Sequence, residues 1–416
     1  MILKTKPFFS SGKDDWTVAV RFILLALFFV CLTACSTEEV DPVPDTDPPV
    51  TNTKYFESVG KSKVFESADL IRAAFDLGAG ESLPISLPSD VPRIKVEEIL
   101  YHTVDPEGND VIASGIISYP ESGNYSRIIL GEHFTISANE EAPSSRMCAM
   151  ESVLSLFDCF VISPDYLGFG VTRDKRHPYL HAESTARVSI DMVFAVREYM
   201  ESLESPLSKD IYIVGYSQGG ASALAVHREM EKNHAADFNI LYTMAGGGPH
   251  DLEGMFNDVV TKDFTSYPGS IPMIVIGLDY GDQLGLDYSK VFKGSLLSNY
   301  NDWINSKKYT MGNINGKIGS NKASDFMHAD MFTTSRNSDF DKLYASLKKN
   351  SLLDWTPKAP IFLAHGTSDE VVPSFCSQNA YDSFKAKGAN VELRLFANED
   401  HKGAAIPFYL FVLLRF

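Results

Sequence analysis

Residues 211–220 read IYIVGYSQGG, and this stretch decides the fold. Four apolar, strand-forming residues run into a Gly-x-Ser-x-Gly pattern, and the sequence then becomes helical. The small residues Gly215 and Gly219 allow a sharp turn, here called the elbow, that holds Ser217 between the strand and the helix. The helix N-terminus at this turn favours developing negative charge. The stretch therefore predicts that Ser217 is a nucleophile at the carboxyl end of a strand.

Short apolar segments alternate with longer helical ones on both sides of this turn, which is typical of parallel βαβ units. The predicted strands lie at 128–130, 159–163, 211–214, 240–245, 360–364 and 391–396, and helices are predicted at 67–75 and 182–203. Upstream, the β-rich segments 96–103 and 110–119 flank a turn sequence and predict an antiparallel hairpin. We therefore expect an α/β fold with a mostly parallel sheet and helices on both faces.

Two further residues complete a candidate catalytic triad with Ser217. Asp369 follows the predicted strand 360–364, and His401 follows the strand 391–396. The carboxyl ends of parallel strands share one edge of a sheet, so these loops can meet there. His401 would take the serine proton, and Asp369 would fix its tautomer. Glu370 remains an alternative acid, whereas Asp400 is adjacent to His401 and is expected to point elsewhere.

An oxyanion hole needs two N–H donors near Ser217. The peptide N–H of Gln218 is the first candidate, because it follows the nucleophile. The second is expected from residues 131–135, GEHFT, with the amide of His133 or Phe134 favoured. This loop lacks a His-Gly pair, which leaves the second donor open.

Three other histidines carry weaker signals. His365 precedes a glycine at a strand end, where a structural role is expected, and His250 and His328 are expected at the surface or in packing. No metal-ligand spacing is evident, and hydrolysis by a serine triad requires no cofactor.

Two motifs outside the elbow carry a family resemblance. Residues 163–170, SPDYLGFG, and 177–181, HPYLH, together with the GYSQGG sequence of the elbow, resemble the secretory lipase family within the α/β-hydrolase superfamily. The resemblance runs from about Val96 to the end of the chain. It implies carboxylic ester hydrolysis, with Ser217, Asp369 and His401 in the positions of the family triad. The fungal members carry a carboxylic acid residue where His133 stands here, so lipid substrates do not follow from the resemblance.

The same fungal members have a helical cap, and this chain has a region that fits one. Between about 247 and 355 the strand and helix alternation gives way to helical and Gly/Asn/Tyr-rich segments. We expect one α/β-hydrolase domain over 56–416, with a mainly helical cap inserted at about 247–355.

The N-terminus predicts export and a lipid anchor. Basic residues up to Arg21 precede a short apolar run that ends in Leu32-Thr33-Ala34-Cys35. This layout is typical of a signal peptide over 1–34, and the final residues resemble a bacterial lipoprotein box in which Cys35 is acylated. An ordinary secretory signal that contains a cysteine by chance is the alternative. Residues 35–55 read as a flexible tether.

The acidic residues behind Cys35 also resemble a surface-export signal. The predicted location is therefore the bacterial cell envelope, as an outer-membrane lipoprotein exposed at the surface.

Composition bounds the class of partner. The chain has 416 residues, 44% of them hydrophobic, and a net charge of −17. Ample apolar content argues against disorder, and the acidic balance argues against nucleic acid as a partner. Oligomeric state cannot be read from the sequence. Of the cysteines, Cys148 and Cys159 could form a disulfide, but buried free thiols at these positions and at Cys376 are an equal alternative.

The main functional hypothesis is a serine carboxylic ester hydrolase with an acyl-enzyme intermediate. A surface lipoprotein of this kind would remove acyl groups from plant polysaccharide esters. A serine peptidase of the prolyl-peptidase kind is one alternative, although no propeller repeat precedes the hydrolase region. A non-catalytic binding lipoprotein on the same scaffold is another.

Overall fold

The computed structural model describes residues 53–77 and 91–415. The predicted leader, Cys35 and nearly all of the predicted tether lie outside these residues. The strands are β1 (Phe56–Phe65), β2 (Ile94–Val104), β3 (Asp110–Pro120), β4 (Arg127–Glu132), β5 (Cys159–Pro164), β6 (Asp210–Tyr216), β7 (Asn239–Gly246), β8 (Ile361–Gly366) and β9 (Val391–Phe396).

Helices connect or flank these strands. They are α1 (Ser67–Phe75), α2 (Pro143–Arg146), α3 (Ala182–Ser202), α4 (Gln218–Asn233), α5 (Leu252–Lys262), α6 (Ser270–Gly281), α7 (Gly294–Tyr300), α8 (Met311–Ile318), α9 (Ser338–Asn350), α10 (Phe375–Ala386) and α11 (His401–Arg415). Short 3₁₀ segments lie at Asn139–Glu141, Met150–Phe157, Gly170–Thr172, Tyr288–Lys290, Ala323–Asp325 and Ala329–Phe332, and a π-helical segment lies at Asn301–Asn305.

All nine strands form one sheet in the order β1-β2-β3-β5-β4-β6-β7-β8-β9. Strands β2 and β3 pair antiparallel, as the predicted hairpin requires. Strand β1 also pairs antiparallel with β2, and β3 with β5. Every pairing from β5 to β9 is parallel. This is the α/β-hydrolase fold, and the predicted fold class is confirmed.

Both faces of the central strands are buried. On β6, Ile211 and Ile213 belong to the core on the face covered by α3 and α4, whereas Val214 and Tyr216 belong to the core on the opposite face. Successive strand residues point to opposite faces, so a strand covered on both sides reads as a continuous apolar run. Helix α11 covers the second face, where Phe408 is fully buried.

The edge strand β1 was not predicted. Its sequence, FESVGKSKVF, has a burial pattern in which only Phe56 and Phe65 are buried, so no alternation of apolar and polar residues marks it. Polar, lysine-bearing strands of this kind are typical of sheet edges, where they discourage association with another chain. The predicted bounds of the other strands differ from the observed ones by at most two residues.

The chain between β7 and β8 forms the helices α5 to α9 and shorter helical turns. Many apolar side chains of this segment are buried. They form one continuous cluster with the main core on the α3 and α4 side of the sheet. Within residues 53–77 and 91–415, no helix is long and apolar enough to cross a membrane.

The disulfide alternative for Cys148 and Cys159 is wrong. Both residues, and Cys376, are buried free thiols. Cys148 packs in the small core around α1, whereas Cys159 begins β5 and packs in the core beneath α11. The two thiols therefore belong to separate apolar clusters, and burial raises the pKa of both to about 12.

Candidate active site

Ser217 occupies the turn between β6 and α4 in a backbone conformation that residues other than glycine rarely adopt. Its φ is 59° and its ψ is −122°. The peptide N–H of Ser217 donates to the carbonyl of Gly246 at 2.9 Å, which ties the turn to the end of β7. A Cβ at position 219 would lie 1.9 Å from the carbonyl oxygen of Glu132, so only glycine fits there. The motif therefore has the strand-turn-helix context that its pattern predicts.

The structure brings Ser217, His401 and Asp369 together. His401 Nε2 lies 2.9 Å from Ser217 Oγ, and His401 Nδ1 lies 2.6 Å from Asp369 Oδ2. A carboxylate only accepts hydrogen bonds, so the Nδ1 proton donates to Asp369. The bare Nε2 then accepts the hydroxyl proton of Ser217, which is the arrangement that general-base activation of a serine requires.

The carboxylate of Asp369 is buried and well supplied with donors. Its Oδ1 accepts the peptide N–H groups of Val371 and Val372, each at 2.9 Å. Burial raises the pKa of Asp369, but hydrogen bonds from His365 and His401 outweigh it and lower the pKa to about 2. Asp369 thus stays ionised under ordinary conditions. The alternative acid, Glu370, is exposed on the same turn.

His365 contacts the candidate acid directly, a contact that the sequence did not predict. Its Nε2 lies 2.8 Å from the carbonyl of Val372 and 3.2 Å from Asp369 Oδ2, and its Nδ1 lies 2.7 Å from Ser377 Oγ. The ring is fully buried. His365 therefore links β8 and α10 to the turn that carries Asp369.

Tyr216 is a second residue that sequence reasoning missed. Its hydroxyl donates to the carbonyl of His401 at 2.7 Å, and the two rings lie 5.4 Å apart. Tyr216 precedes Ser217 in the elbow, so one side chain joins the loop of the nucleophile to the loop of the candidate base.

His250 and His328, the two other histidines singled out from the sequence, differ in surroundings. His250 is fully buried, and neither ring nitrogen has a hydrogen-bond partner among the described residues. Burial is the main cause that lowers the pKa of His250 to about 3, so its ring is neutral. His328 is partly exposed and accepts the peptide N–H of Asp330 at 3.3 Å.

The predicted oxyanion loop passes beside the elbow. His133 is buried, with Nδ1 2.6 Å from the carbonyl of Phe134 and Nε2 3.3 Å from the carbonyl of Asp165. Burial lowers the pKa of His133 to about 4, and a neutral ring has only one N–H. The shorter contact assigns that proton to Nδ1, so it is already used. The imidazole of His133 is therefore not a free donor. Phe134, the other residue favoured in this loop, is 37% exposed.

Residues 53–77 and 91–415 contain no group of three or more His, Cys, Asp and Glu side chains suited to a metal ion. The site as built can remove a proton from Ser217 and hold the resulting imidazolium against a carboxylate.

The family model for secretory lipase matches residues 154–406, which include the elbow and both loops that contribute to the site. The chain belongs to the secretory lipase family. The matched region covers all three predicted triad positions.

Curated and solved relatives of this secretory lipase family member are distant. The secreted triacylglycerol lipase LIP4 of Malassezia globosa is 26% identical over 201 residues, which cover 45% of this chain and 40% of that lipase. The alignment therefore spans less than half of that lipase. A protein of Legionella pneumophila is similar in structure, with a TM-score of 0.75 at 22% identity over 87% of this chain and 97% of that one.

The rice cell wall degrading esterase LipA of Xanthomonas oryzae is also similar in structure. It has a TM-score of 0.70 at 23% identity, over 86% of this chain and 95% of that one. At these identities the solved structures support the fold alone.

Proposed function

We propose that this secretory lipase family member is a serine carboxylic ester hydrolase in which Ser217, His401 and Asp369 form the catalytic triad. The continuous hydrogen-bond chain from Ser217 Oγ through both nitrogens of His401 to Asp369 Oδ2 carries the proposal. The strained backbone of Ser217 supports it independently, because such strain concentrates at functional sites.

The reaction proceeds in two steps. His401 Nε2 removes the Ser217 hydroxyl proton while Oγ attacks the ester carbonyl carbon, and the protonated imidazole then donates this proton to the departing alkoxide as the acyl–oxygen bond breaks. The acyl group remains on Ser217. His401 next removes a proton from water, whose oxygen attacks the acyl-enzyme, and returns that proton to Ser217 as the carboxylic acid leaves. Asp369 stays ionised and stabilises the imidazolium throughout.

The oxyanion of each tetrahedral intermediate would be bound by two peptide N–H groups. Gln218 begins α4, so its N–H is one of the unpaired donors at a helix N-terminus. The amide of His133 or Phe134 would supply the second donor, since the loop after β4 packs against the elbow.

We also propose that residues 247–355 form a cap over this site within a single hydrolase domain of 56–416. Several contacts join this segment to loops at the carboxyl edge of the sheet. Ser266 Oγ donates to the carbonyl of Glu370 at 2.6 Å, beside the candidate acid. Ser137 Oγ donates to the carbonyl of Tyr309 at 2.9 Å, and the Asn139 N–H donates to the carbonyl of Lys307 at 2.8 Å.

The experiment that tests the activity compares wild type with Ser217→Ala. We expect a fluorophosphonate probe to label the wild type and p-nitrophenyl esters of short acyl chains to be hydrolysed. Ser217→Ala should lose both. Ser222→Ala, further along α4, is the matched control and should keep both. A wild type that is neither labelled nor active would instead favour a binding protein on a hydrolase scaffold.

As substrate, we propose acyl esters of plant polysaccharides. The predicted position at the cell surface motivates this choice, and one protein of the same fold is named a rice cell wall degrading esterase; the relatives named as triacylglycerol lipases motivate lipid esters instead. Acetylated xylan, feruloyl esters and a triglyceride assayed side by side decide between them. Cleavage of the triglyceride alone would reject the polysaccharide hypothesis.

For location, we propose an outer-membrane lipoprotein of the bacterial envelope, with Cys35 acylated after removal of residues 1–34. The sequence layout around Cys35 supports this, and the matched Malassezia relatives are named as secreted. Metabolic labelling with a fatty-acid analogue in a Gram-negative host should mark the wild type and not Cys35→Ala. Equal labelling of both proteins would contradict a lipid anchor at this residue.

A further inference from the structure

Residues 165–181, which contain both the DYLGFG and the HPYLH motifs, touch both sides of the predicted oxyanion hole. On one side, the carbonyl of Asp165 contacts His133 Nε2, and the ring of Tyr166 lies 4.1 Å from the ring of His133. On the other side, His177 Nε2 lies 3.2 Å from the side-chain Nε2 of Gln218. The two motifs therefore contact the residues of the predicted oxyanion hole, although neither motif contributes a residue to the triad.

The tautomer of His177 follows from its surroundings. Its Nδ1 lies 2.6 Å from the carbonyl of Leu167, which can only accept, so Nδ1 carries the proton. A neutral imidazole then presents a bare Nε2 as acceptor. The Gln218 amide must therefore turn its NH₂ group towards His177, since its oxygen would meet a second acceptor. Burial is the main cause that lowers the pKa of His177 to about 3, which keeps the ring neutral.

The ring of His177 is held on several sides. It packs against Phe169, with ring centroids 4.8 Å apart, and against Tyr179 at 5.7 Å. Gly168 makes the approach possible: its φ is +91°, and a Cβ there would lie 2.7 Å from the Cα of His177. The loop is thus shaped to place this imidazole against Gln218.

The inserted segment holds the same loop from its other side. Lys307 is 6% exposed, and its Nζ donates to the carbonyls of Arg173 and Lys175. Gln218 itself is 1% exposed, and its side-chain oxygen has no partner among the described residues. His177 is therefore the hydrogen-bond partner that orients the Gln218 side chain.

We propose that His177 is a positioning residue for ester hydrolysis: by accepting the Gln218 amide, it fixes the first residue of α4 and hence the peptide N–H that polarises the substrate carbonyl. This inference rests on the proposed function. His177 does not contact the reacting atoms. It acts through Gln218, so its loss should lower kcat and the rate of labelling of Ser217, with little change in KM for a small ester.

Three variants test this role. His177→Phe keeps an aromatic ring in the pocket and removes the acceptor. His177→Gln places an amide oxygen near the former position of Nε2. Gln218→Met keeps the peptide N–H and removes the side-chain amide. A single oxyanion donor is worth about a hundred- to a thousand-fold in kcat, so its misplacement in His177→Phe should cost about ten- to a hundred-fold. His177→Gln should recover part of that loss.

A double-mutant cycle separates positioning from general damage. If His177 acts through the Gln218 side chain, His177→Phe combined with Gln218→Met should be no slower than Gln218→Met alone. If the two substitutions lower kcat by factors that multiply in the double variant, the inference is wrong. It is also wrong if Gln218→Met alone has the kcat of the wild type. The comparison of Gln218→Met with the wild type can be made even if His177→Phe does not fold.

The matched control is His227→Phe, another buried histidine, on α4 itself, whose Nε2 bonds Glu231 at 2.9 Å. It should lower the melting temperature and leave kcat unchanged. A wild type without ester turnover or probe labelling rejects the proposed function, and the inference with it. An active wild type whose kcat neither His177→Phe nor Gln218→Met lowers rejects the inference alone.

Discussion

The backbone of Ser217 has a positive φ, which costs a side-chain-bearing residue about 1–3 kcal/mol. The neighbouring groups hold this conformation in place. The Ser217 N–H donates to Gly246, and the Ser217 carbonyl accepts the N–H of Gly220 at 3.0 Å. The turn directs Oγ towards His401 Nε2 rather than into the helix. Within this turn, Ser217 carries the backbone strain, and hydrogen bonds to neighbouring residues compensate for it.

Replacement of Asp369 by Asn tests the assignment of the acid. The amide cannot stabilise the imidazolium, and it can hold His401 in the wrong tautomer, so kcat should fall about ten-thousand-fold with a small change in KM. Glu370→Gln removes the neighbouring exposed carboxylate and should leave kcat unchanged. Steady-state kinetics on a p-nitrophenyl ester measure both. A larger loss in Glu370→Gln than in Asp369→Asn would reassign the acid.

The elbow shows how closely helix α4 packs on the strand that precedes it. A Cβ at Gly215 would lie 2.2 Å from the carbonyl oxygen of Gly219, and a Cβ at Gly219 would lie 1.9 Å from that of Glu132. These contacts are with backbone atoms, which cannot rotate away. The helix N-terminus can therefore approach β4 and β6 only where side chains are absent, and that approach brings Gln218 beside the loop after β4.

Gly219→Ala should destabilise the protein by about 3 kcal/mol, the upper part of the usual range for overpacking, because the backbone must move. Gly316→Ala is the matched control. Gly316 is an exposed residue of α8, and a Cβ there would have no heavy atom of another element within 4 Å. This control should stabilise the helix by up to about 1 kcal/mol. Urea unfolding measures both changes. Equal stability of the two variants would show that the elbow can relax.

The molecule buries two carboxyl groups close to the end of β4. Glu132 and Glu151 are both fully buried, and burial raises the pKa of each to about 7. The hydroxyl of Tyr409, on α11, donates to Glu151 Oε1 at 2.6 Å, while Oε2 has no partner among the described residues. At these two carboxyl groups the folded state binds more protons than the unfolded state between about pH 4.5 and 7, so their contribution to the free energy of unfolding falls as pH rises through this window.

Glu151→Gln should remove part of this pH dependence. Each pKa unit corresponds to about 1.4 kcal/mol, so between pH 5 and pH 8 the variant should gain about 3 kcal/mol relative to wild type. The constant cost of the buried amide cancels in this comparison. Glu140→Gln, an exposed control, should differ from wild type equally at both pH values. Urea unfolding curves at pH 5 and pH 8 measure these free energies. If Glu151→Gln differs from wild type by the same amount at both pH values, the raised pKa of Glu151 is contradicted.

Local patterns were sufficient to predict much of this protein. The apolar run before Gly215, the glycines around Ser217 and the order Ser217, Asp369, His401 are all readable from short stretches of sequence. They predict the fold class, most strand positions and the three candidate triad residues. This works because strand burial and sharp turns restrict residue types locally.

Long-range contacts were decided only by the tertiary structure. The contact of His177 with Gln218 joins residues 41 positions apart, and Tyr216 reaches His401 across 185 positions. Strand β1 owes its place to pairing with β2 rather than to a pattern of its own. The separation of Cys148 from Cys159 likewise depends on which apolar cluster each joins. Sequence restricts each residue by its neighbours along the chain, whereas these contacts arise when the sheet and its covering helices bring distant segments together.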